Sequence, residues 1–315
     1  MKIDLIGRDS EIAFLGDWLD DPWGRLALVE GEPGIGKTSV WRHTCSLAAE
    51  HGVAVVASSP AESEQQLVFA GLADLLGPLL PQTVAEVAPV RRQAIEAALL
   101  LGDGGEQPFD ERAVAFAVLD VLRSAAHEQP LVVAIDDAQW LDRSTAAVIA
   151  FALRRLTPAD RVAALVARRT GVEDDASRSL VEAVDVDRRC ITAVGPLSLG
   201  AVHRIYRERL GLSFSRPRIV RIHEICGGNP FFALEIGRAL AAEPAVRGDP
   251  PIPASLAEAL GARLSELSPA ARRVALLAAA AAQPTMHVLA LAAADADLDA
   301  AAAEGVAAGV FVAGS

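Results

Sequence analysis

Residues 25–39 read RLALVEGEPGIGKTS, and this stretch decides the fold. An apolar run, Arg25–Glu30, breaks into a glycine-rich turn that fits G-x-x-x-x-G-K-[ST] from Gly31 to Thr38. Ser39–Glu50 beyond it reads as a helix. Strand, turn and helix in that order are the context the spacing requires. Gly31, Gly34 and Gly36, with Pro33 and Ile35 between them, let the backbone curl until its N–H groups face one point at the positive end of a helix. Phosphate is the ligand such a cradle takes. Lys37 is placed to reach the β- and γ-phosphates as a mobile charge, the Thr38 hydroxyl to ligate Mg²⁺, and Ser39 to complete the cradle. The bland alternative is an exposed lysine on a Gly-rich turn, but the chain has only two lysines, Lys2 and Lys37, and one fills this slot.

Four more apolar runs read as strands: 53–58, Leu131–Asp136, 161–167 and 189–194. Each is nearly continuous in apolar residues, as strands buried on both faces are. Residues 109–127 and 144–156 carry helical periods, the second opening on Ser144 as a candidate cap. Gly102–Pro108 is a turn-rich break. Beyond Leu199 the strand pattern stops and helical periods dominate, interrupted at 227–230 and 248–251. These shifts divide the chain into 1–198, 199–250 and 251–315, with an end that carries no stop signal and so suggests a cut chain.

Leu131–Asp137 is an apolar strand ending in two carboxylates. Buried acids are costly unless paired or metal-bound, and the carboxyl end of a parallel strand is where such sheets bind ligands. Asp136 is therefore the expected outer partner of the magnesium ion, and Asp137 the group that orients or deprotonates an attacking water, a plain helix cap being its alternative. The continuation DDAQWLD (136–142) resembles the DD-x-QW-x-D element of the large ATP-binding LuxR-family regulators, members of the STAND class within the AAA+ superfamily. Ile6–Glu11 is similar to that family's GR-x-x-E box beside the adenine, which brings in Gly7 and Arg8. Residues 69–78 (FAGLADLLGP) resemble a helical segment typical of these regulators. Gly228–Phe232 with Glu235 resembles the GNPF element of a helical lid, with Asn229 and Pro230 near the base. Residues 264–270 resemble the start of a winged-helix subdomain.

The resemblance implies an α/β fold: a P-loop NTPase parallel sheet with flanking helices, then an all-helical lid and a partial winged-helix subdomain. It implies ATP or ADP with Mg²⁺ as cofactors, and a slow ATP hydrolase that works as a regulatory switch, its nucleotide state controlling subdomain packing or self-association. It also implies a missing C-terminal helix-turn-helix that would read DNA. Arg168 and Arg169, ending the fourth strand, are both candidates for the residue that senses the γ-phosphate; the residues alone do not choose between them. Two other functions stay open: a self-contained AAA+ remodelling motor acting as a ring, and a nucleotide that only holds the fold together.

Composition narrows the partners. The 315 residues are 52% hydrophobic and 22% charged, which excludes disorder as the main state. With 29 basic against 41 acidic residues the net charge is −12, an unfavourable field for a phosphate backbone. The arginines between 204 and 221, interleaved with apolar residues at helical spacing, read as the wet face of helices. Cys45, Cys190 and Cys226 are odd in number and far apart, as expected of reduced thiols in a cytoplasmic protein. No apolar run approaches the roughly 20 residues of a membrane span.

Overall fold

The computed structural model describes residues 5–101, 110–172, 174–242, 267–280, 289 and 298–307. The break at 102–108, the boundary near 250 and most of the winged-helix stretch lie outside the described residues. Five strands form, all where the apolar runs place them: β1 (Leu26–Gly31), β2 (Ala54–Ser58), β3 (Leu131–Ile135), β4 (Val162–Arg169) and β5 (Arg189–Ala193). They make one parallel sheet in the order β2-β3-β4-β1-β5. The fold is α/β, with this sheet flanked by helices and a helical C-terminal part. The helices of the first part are α1 (Asp9–Asp20), α2 (Lys37–Glu50), α3 (Ala70–Leu76), α4 (Leu80–Thr83), α5 (Pro89–Ala98), α6 (Glu111–Glu128), α7 (Arg143–Leu153) and α8 (Asp175–Glu182).

Side-chain alternation along the strands sets the two faces. Leu26, Leu28, Val133, Ile135, Ala164 and Val166 pack into one core with residues of α3 and α5–α8. Ala27, Val29, Val132, Ala134, Leu165 and Ala167 pack into the other with α1 and α2. Strand β4 runs two residues beyond the expected end, because Arg168 and Arg169 continue its pairing with Glu30 and Gly31 of β1. By the same alternation Arg168 falls on the first face and Arg169 on the second. Since β4 lies between β1 and β3, the carboxyl ends of all three open side by side, where parallel sheets hold ligands.

Helix α7 begins two residues earlier than its sequence suggests. Its cap is Asp142, whose carboxylate accepts from the Thr145 N–H, rather than Ser144. A carboxylate is the stronger acceptor and suits the positive end of the helix.

The chain divides into two compact units, Met1–Gly195 and Pro196–Ser315. In the second, α9 (Leu199–Arg209), α10 (Arg216–Cys226) and α11 (Pro230–Ala242) pack together. Fully buried Tyr206 donates its hydroxyl to the Ala233 carbonyl (2.5 Å). Of the arginines expected on the wet face, 204, 207, 209, 216 and 221 are exposed, whereas Arg218 is buried with its guanidinium over the Phe214 ring. Helices Pro269–Ala280 and Leu298–Ala307 meet through Leu267, Ala271, Val274 and Ala301. Among the described residues no helix is long and apolar enough to cross a membrane.

Candidate functional site

The glycine-rich turn is built as its spacing requires. Gly34 and Gly36 take φ of +74° and +105°, a region that side chains with a Cβ rarely enter. A Cβ on Gly31 would come within 2.9 Å of the Val194 carbonyl oxygen, so only glycine lets β1 leave the sheet so close to β5. Pro33 is exposed and Ile35 buried, which pins one side of the turn in the core and leaves the other open. Gly36 precedes α2 without any side-chain cap, so no side chain competes with an anion at the start of that helix. Ser39 is exposed on that turn and its N–H bonds the Gly36 carbonyl.

Arg8 clamps the turn from behind. It is 5% exposed and donates to Glu11 (2.9 Å), to the Ile35 carbonyl (2.6 Å) and to the Gly195 carbonyl (2.7 Å). One guanidinium thus joins the start of α1, the phosphate turn and the segment just beyond β5. Gly7, at φ +70°, turns the chain into this position.

Four charged groups converge at the strand ends. Lys37 is buried and its Nζ donates to the Glu32 carbonyl (3.0 Å). Burial pushes its pKa below the ordinary lysine value; Asp137 and Asp136 oppose the shift and Arg169 adds to it. Asp136, 3% exposed, accepts from the Thr38 hydroxyl and from the Asp137 N–H (3.0 Å). Burial raises its pKa, the Thr38 bond draws it back, and the neighbouring Asp137 raises it again. Asp137 lies in the left-handed region at φ +42°, ψ +47°, a strain of roughly 1–2 kcal/mol for a side-chain-bearing residue. The Gln139 amide bonds its Oδ1 (2.8 Å), and the Arg169 Nε lies 3.8 Å from the same oxygen. The Arg169 guanidinium also sits over the Trp140 ring, 5.3 Å from its centroid.

The two arginines separate as the strand geometry dictates. Arg168 bonds Glu30 on the opposite face (2.7 Å from Nε). There a cavity of about 450 Å³ opens, lined by Glu30, Arg168, Arg178, Glu182 and Arg189 among others, with Arg169 also at its wall; residues 32–38 are not in it. Arg169 stays with Lys37, Asp136 and Asp137.

Asn229 and Pro230 belong to the second unit. Asn229 caps α11, its side-chain oxygen accepting from the N–H groups of Phe231 (3.0 Å) and Phe232 (3.4 Å), and Pro230 occupies the first helical position. His223 bonds the Leu197 carbonyl within the same unit (2.9 Å).

Two residues of the 136–142 element had no role in the sequence reading and acquire one here. Gln139 bridges two strand ends. Asp142 accepts from the backbone N–H groups of Phe69 (3.0 Å), Gly71 (3.1 Å) and Thr145 (2.9 Å), so it docks the start of α3 onto α7. The signal for Asp142 was its place just before a helix; nothing local reveals that both of its oxygens also serve a segment about seventy residues away.

The residues present suit magnesium: a hydroxyl and a buried carboxylate already in contact at the mouth of an anion cradle form the oxygen set that a hard divalent ion takes. No curated protein matches the chain. Among solved structures it is similar to Cdc6p from Pyrobaculum aerophilum, at 15% identity over 92% of this chain and 81% of that one, with a TM-score of 0.49. It is also similar to the Orc1 protein of Aeropyrum pernix, solved in complex with DNA, at 14% identity over 98% and 85%, with a TM-score of 0.47. The family model for the AAA ATPase domain matches residues 4–166, just over half of the chain and all of the strand-end cluster up to β4. The chain therefore belongs to the AAA ATPase domain family.

Proposed function

We propose that this chain is an ATP-binding regulatory switch with slow hydrolysis, of the kind found in LuxR-type transcriptional regulators. The observation that carries the nucleotide reading is the convergence of Lys37, Thr38, Asp136, Asp137 and Arg169 around the open mouth of the 31–38 turn. Two cations and two carboxylates beside a helix start that no side chain caps suit a polyphosphate with its metal.

In this reading the turn amides and Lys37 hold the β- and γ-phosphates. Thr38 and Asp136 hold Mg²⁺, which when bound offsets phosphate charge. Asp137 orients and deprotonates the attacking water, and its strained backbone, fixed by Gln139 and by its own bond to Asp136, keeps the carboxylate preset for that task. Arg169, rather than Arg168, senses the γ-phosphate. It shares the face of Asp136 and Lys37, whereas Arg168 is engaged by Glu30 on the other side of the sheet. The switch, the LuxR assignment, and residues 199–250 and 251–315 as helical lid and winged-helix-like subdomain rest on the sequence resemblance.

Steady-state turnover measured across a hundredfold range of protein concentration tests the switch against a ring motor. The switch predicts tight nucleotide binding and a slow rate per molecule that does not change with concentration. A rate per molecule that rises steeply with concentration would overturn it in favour of a ring.

A further inference from the structure

The Gln139 side chain is 1% exposed and bonded at both ends of its amide. Nε2 donates to Asp137 Oδ1 (2.8 Å) and Oε1 accepts from the Arg169 backbone N–H (3.1 Å). The second bond replaces a missing strand. The N–H groups of Ala164 and Thr170 donate to β1, to the carbonyls of Arg25 and Gly31, so the intervening odd-numbered N–H groups of β4 face β3. Strand β3 stops at Ile135, opposite Val166, and leaves the Arg169 N–H beyond its reach. Gln139 supplies the acceptor. An N–H can only donate, so Oε1 must face Arg169 and Nε2 must face Asp137; the amide has one satisfied orientation. Gln65 holds the Gln139 backbone in turn, its amide donating to the Gln139 carbonyl (2.8 Å).

We propose that Gln139 is a positioning residue for hydrolysis: one buried amide that couples the Asp137 carboxylate to the end of β4 carrying Arg169. The proposal rests on the roles given above to Asp137 and Arg169. Neither group then sets its position alone. Removing the amide frees the carboxylate on one side and takes the acceptor from the Arg169 N–H on the other, while the phosphate turn, with which Gln139 makes no hydrogen bond, keeps its shape.

The test measures Mg-ATP hydrolysis and Mg-ADP binding on the full chain for the parent, Gln139→Met, Arg169→Ala and the double variant. Gln139→Met keeps the volume of the slot and removes both bonds. The expected result is Mg-ADP affinity within about threefold of the parent and a loss of about tenfold or more in kcat. In the Arg169→Ala background the same change should add less than about twofold, since the two act as one unit. Gln139→Glu keeps the acceptor for Arg169 but sets a carboxylate against Asp137, and it should fall in kcat as well; it decides the matter if Gln139→Met does not fold. Turnover within about threefold of the parent, equal losses in kcat and Mg-ADP affinity, or losses that multiply in the double variant would each overturn the proposal. A parent that binds Mg-ADP but hydrolyses nothing also overturns it while leaving the nucleotide site intact. A parent that neither binds nor hydrolyses removes the nucleotide reading itself.

Discussion

Asp142 shows how much one side chain carries in this fold. Its carboxylate is buried and accepts from three backbone N–H groups, two of them from a distant segment. Asp142→Ala strands those donors in the core, and a loss of about 3 kcal/mol is expected. Urea unfolding followed by far-UV circular dichroism should show a lower midpoint at unchanged slope; an unchanged midpoint would contradict the assignment. Cys45 gives a second reading at this scale. Burial, with Asp136 nearby, pushes its thiol up to about 12. Thiolate is the reactive form, so iodoacetamide at pH 8 should label Cys45 only after unfolding. Labelling of the native protein at the rate of a free thiol would count against this packing.

Among the elements, strand β4 makes the sharpest prediction. Because neighbouring residues point to opposite faces, Arg169→Ala should lower turnover by roughly a hundredfold, as expected when a charge stabilising phosphoryl transfer is lost. Arg168→Ala, by comparison, should leave turnover within about threefold of the parent. The reverse pattern would mean that the face assignment is wrong. The short connection into β4 carries a pH signature. Burial by itself would raise the Asp160 pKa, but bonds from the Thr157 N–H and hydroxyl and from Arg123 outweigh it and hold it below the ordinary carboxylate value. A carboxyl depressed in the folded state adds stability that is complete above its unfolded value and disappears as pH falls through the folded one. Asp160→Asn should thus be less stable by about 1 kcal/mol at pH 7, with the gap closing below roughly pH 4. A gap that persists at pH 3 would contradict it.

The five strands and the phosphate turn were legible because a continuous apolar run and a glycine spacing are local signals. The strand order was not, since nothing in 25–31 or 162–169 says which runs become neighbours. The choice between Arg168 and Arg169 followed only from their register against Glu30 and Gly31. Gln139 stayed hidden for the same reason: its partners are a residue two positions back and a backbone group thirty positions on.

For the whole molecule, an AAA ATPase domain on a chain of net charge −12 makes Mg-ATP binding the central claim. Thermal unfolding with and without Mg-ATP, run beside Lys37→Ala, tests it most directly. A ligand at about a hundred times its dissociation constant stabilises by roughly 2.7 kcal/mol, a rise in Tm of a few degrees at this size. The account predicts that rise for the parent and none for Lys37→Ala, whose phosphate turn lacks its charge. A parent that does not shift, and that releases no nucleotide on denaturation, would contradict it.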